Sequence, residues 1–414
     1  MLGGENGSAQ DRSTPAGGLA GYHGWIIGTA LPFWSADGFD AAAGRFRERL
    51  DGAGAPLPVP HRSMVQARQI YVFSHAHHLG WFPDGARLAE AAMRSLVRDF
   101  GEVGAREASF AFSVDPATGR TVSDVRDAYA HAFVLFATAW LYRVTGDAAL
   151  LALAERVNAF VRAHLVDPAH GGVFDASPVA ARDKRQNPLM HLLEAYLALE
   201  RAAPGRGYLD DARGLVELFR TRLFAAEPGV LLEYFAEDWA PHPDGARAGV
   251  FEPGHHYEWV WLLGEYAALS GEDLSGYSER LYATARARGH AADGLVYDEL
   301  AVEDLGGDGR VRKRSHRVWP HTEAIKAAAA RHPAGDRQAL PFAGAMAQAL
   351  LDRFLDRPFA GGWVDHVDAA DAPAPHRPLV DYVPASSLYH LFFAAAEAAA
   401  LVPAPPTAAA PTHA

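Results

Sequence analysis

Apolar and polar positions along this chain fall into alternating blocks. Strongly apolar helical segments occupy 63–81, 123–147, 187–200, 254–271, 316–330 and 384–402. Amphipathic segments at 84–100, 147–165, 208–225, 274–289 and 336–355 separate them. A further helix is predicted over 35–52 (SADGFDAAAGRFRERLDG), capped by Ser35 or Asp37. Short Gly-aromatic stretches at 171–179, 229–239, 293–300 and 361–369 precede four of the apolar helices and read as hairpins. SFAFSVDPATG (109–119) reads as a strand pair or turn. The unit of hairpin, apolar helix and amphipathic helix recurs roughly every 60 residues, the mark of a repeated supersecondary unit.

An apolar helix needs burial on most sides and an amphipathic one on a single face. About twelve helices in six such pairs satisfy both needs as an inner and an outer ring. The expected fold is therefore all-α, an (α/α)6 barrel with short β-hairpins at one mouth. A two-domain helical protein and an open solenoid share the same pattern. Contiguous apolar blocks and short connections favour one catalytic domain over 23–402. Residues 1–22 read as a flexible arm and 403–414 as a flexible tail.

Composition narrows the function. The chain has 414 residues, 49% hydrophobic, with a formal net charge of -12, which argues against a nucleic-acid partner. No apolar run is long enough to cross a bilayer, and the opening residues do not read as a secretory signal. The absence of cysteine removes disulfides and thiolate metal sites and fits a cytoplasmic protein. Twenty histidines point towards a site built on imidazole.

Those histidines concentrate where inner helices open. In Glu252-Pro-Gly-His-His-Tyr-Glu-Trp-Val-Trp-Leu-Leu263, the Pro-Gly pair breaks the chain and a helix begins. His255 and Glu258 share one face of its first turn. Tyr129 and His131 follow the cap candidate Asp124. Asn187 precedes Pro188, with His191 one turn on. Trp319 and Glu323 flank Pro320, His390 follows Ser386 and Ser387, and Arg68 lies early in its helix. Inner helices separated by returning outer helices run parallel, so these side chains converge on one mouth. Helix N-termini there favour a developing anion. Each residue taken alone also fits core packing or a solvated turn. His75, His77 and His78 resemble a metal cluster, but HAHH within a helix reads as packing, and no HExxH-type spacing is present.

The motifs NPLMHLLEA, EPGHHYEWVWLL, RVWPHTEAIKA, GGWVDHVDA and PASSLYHL together resemble the N-acylglucosamine 2-epimerase superfamily. The resemblance implies an (α/α)6 barrel that interconverts monosaccharides, with no metal or other cofactor. It implies His255 and His390 as the acid/base pair and Glu258 as the partner of His255. Arg68, Asn187, His191, Trp319 and Glu323 become sugar contacts, with Tyr129 and His131 beside them. His321 stands where many relatives have Gln. The run Ser387-Leu388-Tyr389-His390-Leu391 is similar to the mannose isomerase branch rather than the disaccharide epimerases. The implied reaction is aldose–ketose isomerisation of mannose or a related aldose through an enediol, with His390 or His255 moving the C2 proton. A sugar 2-epimerase is the alternative within the family. An inverting glycoside hydrolase using Glu258, Glu323 or Asp365 is one outside it, and a sugar-binding protein without activity is another. The pattern leaves monomer and homodimer both open.

Overall fold

Helices in this chain begin where extended residues hand over to apolar runs. A computed structural model describes residues 14–305, 311–369 and 376–401. In chain order, the helices alternate between two rings. An outer pair, α1 (Pro15–Trp25) and α2 (Leu31–Ala36), is followed by inner α3 (Ser63–His78) and outer α4 (Gly85–Phe100). Inner α5 (Ala128–Thr145), α7 (Gln186–Ala202), α9 (Pro253–Ser270) and α11 (Val318–Arg331) alternate with outer α6 (Ala148–Phe160), α8 (Tyr208–Leu218), α10 (Ser275–Arg288) and α12 (Ala339–Arg353). Inner α13 (Leu388–Ala398), entered through the 3-10 turn Ala385–Ser387, completes the inner ring. Each inner helix packs on its inner neighbours, and α13 returns to α3, so the ring closes as the (α/α)6 barrel expected. In the outer ring, α1 packs against α12.

Caps and stops account for the boundaries. Asp127, not Asp124, caps α5 by accepting a hydrogen bond from the Ala130 N–H at 2.8 Å. Gly146 ends that helix in the left-handed region. Ahead of each inner helix runs a two-residue strand that pairs antiparallel with a strand of the next unit. The pairs are 61–62 with 113–114, 126–127 with 176–177, and 184–185 with 234–235. They continue with 250–251 and 300–301, then 316–317 and 366–367. The last strand, 383–384, pairs back with 49–50. These ribbons stitch neighbouring units together around the mouth from which the inner helices start.

Two expectations near the N-terminus change. The 35–52 segment is not a helix: Phe39–Asp40 pairs with Arg45–Phe46 as a hairpin. The Asp40 carboxylate accepts from the Ala42 and Ala43 N–H groups, giving the backbone a turn in place of a helical start. The arm also does not run to residue 22, because Thr14 caps α1 and both Leu19 and Tyr22 are buried. The run PAGGLAG looks flexible but serves a close helix crossing. A Cβ on Gly18 would lie 2.8 Å from the Gly344 carbonyl of α12. The rest of the expected arm (1–13) and the tail (403–414) lie outside the described residues. No helix among the described residues is long and apolar enough to cross a membrane.

Candidate active site

Inner-helix periodicity sorts side chains into layers. Counting α13 from Ala385, the sixth residue of the six inner helices is Arg68, Phe133, His191, Glu258, Glu323 or His390. Positions three or four residues apart share a helix face, so the second and ninth residues lie above and below this layer. The second residues are Met64, Tyr129, Asn187, Gly254, Trp319 and Ser386. A cavity of about 330 Å³ opens here, lined by Arg68, Tyr129, Asn187, His191, His255, Glu258, Trp319 and His390 among others. Eight of the ten residues named from sequence therefore meet in one place.

His255 is held from behind by a residue the sequence reading missed. Its Nδ1 lies 2.9 Å from Glu233 Oε1 in the preceding hairpin, and Gln186 donates to the other Glu233 oxygen at 2.9 Å. Burial alone would lower the His255 pKa, but Glu233 and Glu252 outweigh it and raise it to about 9. The ring is thus an imidazolium at neutral pH, with its Nε2 3.2 Å from the Asn187 amide. Glu258 is not its direct partner. Glu258 extends down the barrel axis, 3.9 Å from His191 Nδ1 and grouped with Glu323 and His390. Burial, and then Glu323, push the Glu258 pKa well above the usual carboxylate range.

His390 has the opposite setting. Its Nδ1 is 2.7 Å from Glu323 Oε1, which leaves Nε2 for the cavity. Burial lowers its pKa to about 3, so the ring is neutral. Burial opposes ionisation of Glu323, but Lys326 and His390 bring its pKa down to about 2. Glu323 is fully buried and lies behind His390, so it reaches a ligand only through that ring. Trp319 lies between the two imidazoles, with ring centroids 4.9 Å from His255 and 5.6 Å from His390. A Cβ at Gly254 would come within 2.5 Å of the indole, so only glycine admits it.

His191 pairs with Glu194 at 3.1 Å and is lowered by burial to about 4. Arg68 donates to the Ser386 carbonyl and the Tyr129 hydroxyl, and it has no carboxylate partner among the described residues. Arg62, Arg317, Glu252 and Asp365 also line the cavity. Arg62 pairs with Glu48 at 2.6 Å, and Arg317 with Glu252 at 2.9 Å and Asp298 at 3.0 Å. A carboxylate in the otherwise apolar run Val230–Phe235 was the available sign of Glu233.

His131 is corrected outright. It occupies the fourth position of α5, turned away from the axis. Its Nδ1 bonds the Asp127 carbonyl at 2.7 Å, and its Nε2 accepts the Phe110 N–H at 3.1 Å. His256 and His321 hold the same position in α9 and α11 and accept the Leu231 and Val296 N–H groups, each at 3.0 Å. These rings tie helix to hairpin, and His321 is not among the residues that line the cavity. Of the HAHH run, His75 stacks on Trp140 at 3.8 Å and His77 bonds the Pro83 carbonyl, both away from this cavity. Among the described residues, three groups have the spacing for a metal ion: His191–Glu194–Glu258, Glu233–Glu252–His255 and Glu258–Glu323–His390. In each, the histidine nitrogen facing the carboxylates is already paired with one of them.

The family model described as N-acylglucosamine 2-epimerase matches residues 44–394. The chain is 33% identical over 387 residues to the mannose-6-phosphate isomerase of Rhizobium meliloti (strain 1021), spanning 92% of this chain and 95% of that protein. It is 30% identical over 350 residues to the D-mannose isomerase of Thermobifida fusca, spanning 79% and 82%. A solved D-mannose isomerase shares the fold with a TM-score of 0.78 at 18% identity, over 92% of this chain and 97% of that one. With a match that reaches into all six inner helices, the chain belongs to the N-acylglucosamine 2-epimerase family.

Proposed function

We propose that this protein is an aldose–ketose isomerase that interconverts D-mannose, or a related free aldose, with the matching ketose. The observation that carries the reading is one cavity faced by two imidazoles in opposite protonation states, His255 raised to about 9 and His390 lowered to about 3. Groups whose environments drive their pKa values apart suit acid and base roles.

His255, as imidazolium, protonates the ring oxygen as the pyranose opens and then serves the O1 and O2 protons. Neutral His390 removes the C2 proton through Nε2, and the electron pair moves into a C1–C2 enediolate. Glu323 stabilises the imidazolium formed at that moment. Arg68 and the inner-helix N-termini face the oxyanion, and Arg68 has no carboxylate partner to share its charge with. Return of the proton to C1 gives the ketose, while return to the other face of C2 gives the epimer. Asn187, His191, Trp319 and Tyr129 orient the sugar. The scheme calls for no metal, so activity survives exhaustive chelation; loss restored by a divalent ion would refute that part. The same reading puts the enzyme in the cytoplasm as one catalytic unit.

A free sugar fits better than a sugar phosphate. Two of the three cavity arginines are already matched by carboxylates, which leaves little positive charge for a dianion. Hydrolysis fits poorly, because the Glu258 and Glu323 ligand atoms lie within 4.8 Å. Inverting hydrolases hold their carboxylates roughly 6.5–9.5 Å apart. The test is NMR in heavy water with mannose, mannose 6-phosphate, glucose, cellobiose and N-acetylglucosamine. Fructose formed from mannose with deuterium at C1 supports the proposal. Turnover confined to the phosphate ester, C2 epimers alone, or monosaccharide released from cellobiose overturns it.

A further inference from the structure

Below the catalytic layer, the ninth residues of the inner helices are Tyr71, Phe136, Glu194, Trp261, Lys326 and Phe393. Lys326 is fully buried, an uncommon place for an ammonium group. Its Nζ is 2.8 Å from Glu323 Oε2, the oxygen that does not bond His390. It also sits over the Phe393 ring at 4.1 Å and the Trp261 ring at 4.5 Å, so aromatic faces supply part of its solvation. The charged and titratable groups whose fields reach it are Glu194 of α7, Glu258 of α9, Glu323 of its own helix, and His390 and Glu397 of α13. Both Glu258 oxygens are buried without a hydrogen-bond partner. Two carboxyl groups this close do not both stay ionised away from water, so something must decide which one carries the charge.

We infer that Lys326 is the positioning residue that assigns the single negative charge of the Glu258/Glu323 pair to Glu323 and leaves Glu258 a neutral acid. The inference rests on the isomerase reading for its consequence, since the carboxylate so fixed is the one that orients the His390 base. Glu323, pinned as an anion, accepts the His390 Nδ1–H and keeps Nε2 unprotonated towards C2. Glu258, kept neutral at the cavity wall, has an O–H to donate to a sugar hydroxyl or to the enediolate. Without the ammonium, the proton is free to settle on Glu323, and His390 loses the acceptor that fixes its tautomer. The aromatic pair explains why this position holds a lysine: its point charge fits between two ring faces and one carboxylate oxygen.

The test compares wild type, Lys326→Met, Lys326→Arg and the double variant Glu258→Gln/Lys326→Met. Carboxyl titration is followed by carbon-13 NMR, and kcat and KM are measured against pH. The expected result for Lys326→Met is a kcat about 100-fold lower, with KM changed far less. The acid limb of kcat/KM should move up by about one pH unit or more, because Glu323 loses its nearest cation. Lys326→Arg keeps the charge and restores part of the rate. In the double variant, Glu258 no longer competes for the charge, so the limb moves back towards the wild-type position. This non-additivity is what coupled sites show. A Lys326→Met protein that differs only in melting temperature, with limb and carboxyl titration unmoved, overturns the assignment. If Lys326→Met does not fold, Lys326→Gln, which keeps a polar side chain and removes the charge, takes its place: unmoved Glu258 and Glu323 titrations in that variant overturn the assignment. If wild type isomerises no hexose while the titrations move as described, the functional reading fails and the charge assignment stands.

Discussion

His255 and His256 follow one another at the start of α9, and the barrel gives them opposite work. The His255 ring faces the cavity with Glu233 behind it, and its pKa is raised to about 9. The His256 ring faces the outer shell, accepts the Leu231 N–H, and is lowered by burial to about 3. The same division separates two whole sets. His191, His255 and His390 line the cavity, whereas His131, His256 and His321 each bond the backbone of the hairpin ahead of their helix. Residue type is identical, and what differs is the turn of the helix that presents it and the carboxylates within reach. Chemistry here depends on a paired carboxylate next to open space, and the tether depends on a ring with no open space at all.

The sharpest way to break this comparison is to exchange the expected losses. His390→Asn should lower kcat by about 10⁴-fold and abolish exchange of the C2 proton with solvent, with the melting temperature nearly unchanged. His256→Ala should do the reverse. It leaves a cavity and a buried Leu231 N–H without an acceptor, costing about 2–5 kcal/mol by denaturant titration. Folded His256→Ala protein should keep kcat within a few fold. If it loses activity as His390→Asn does, the division between the sets is wrong. The tethers also predict how stability depends on acid. Their folded pKa values, about 4 for His131 and about 3 for His256 and His321, lie below the ordinary value of 6.5. The unfolded chain therefore takes up protons that the folded one refuses. These residues' contribution is complete above pH 6.5 and is lost progressively as pH falls towards 3.

A smaller effect tests what separates His255 from its neighbour. Glu233→Gln keeps the hydrogen-bonding shape behind His255 and removes the charge that does most to raise its pKa. The His255 pKa should fall towards its ordinary value. The basic limb of kcat/KM, expected near pH 9 in wild type, should move down with it. At pH 7 the loss should be about tenfold, because the acid is then only partly charged. An unmoved basic limb would mean that a different group supplies the acid.

Much of this was legible from the chain, and the failures have physical causes. The repeat of apolar and amphipathic blocks gave parallel inner helices, and with them a shared mouth for side chains as distant as Arg68 and His390. Nearness to a helix start was too coarse a guide, however. His131 was grouped with the site because it opens α5. Yet the fourth residue points about 200° away from the second and sixth at 100° per residue, and that arithmetic was available. The family resemblance implies Glu258 as the partner of His255, and their spacing of three on one helix face agrees with it. The His255 ring instead turns to Glu233 in the hairpin that opens its own unit, 22 residues back, a contact that no helical spacing encodes. Gly18 misled in another way, since glycine marks close helix contact, here with Gly344 of α12, as readily as it marks a loose arm.

The smallest predicted effect is also the one aimed most directly at the comparison. At the fourth position of α3 the chain carries Gln66 instead of histidine, and its amide accepts the Phe46 N–H and donates to the Phe46 carbonyl, both at 2.9 Å. The barrel therefore already contains a glutamine performing the tether. His131→Gln should retain a hydrogen bond to the Phe110 N–H and lose mainly the packing of the ring against Phe160, where the centroids are 5.0 Å apart. The expected cost is below about 1.5 kcal/mol, with kcat and KM for mannose unchanged. The acid sensitivity assigned to His131 should vanish in this variant, because glutamine has no proton to take up between pH 4 and 6.5. A large rise in KM would return His131 to the sugar contacts. A flat KM with a smaller loss of stability on acidification would confirm that one residue type serves two purposes in one ring of helices, divided by the side of the helix it occupies.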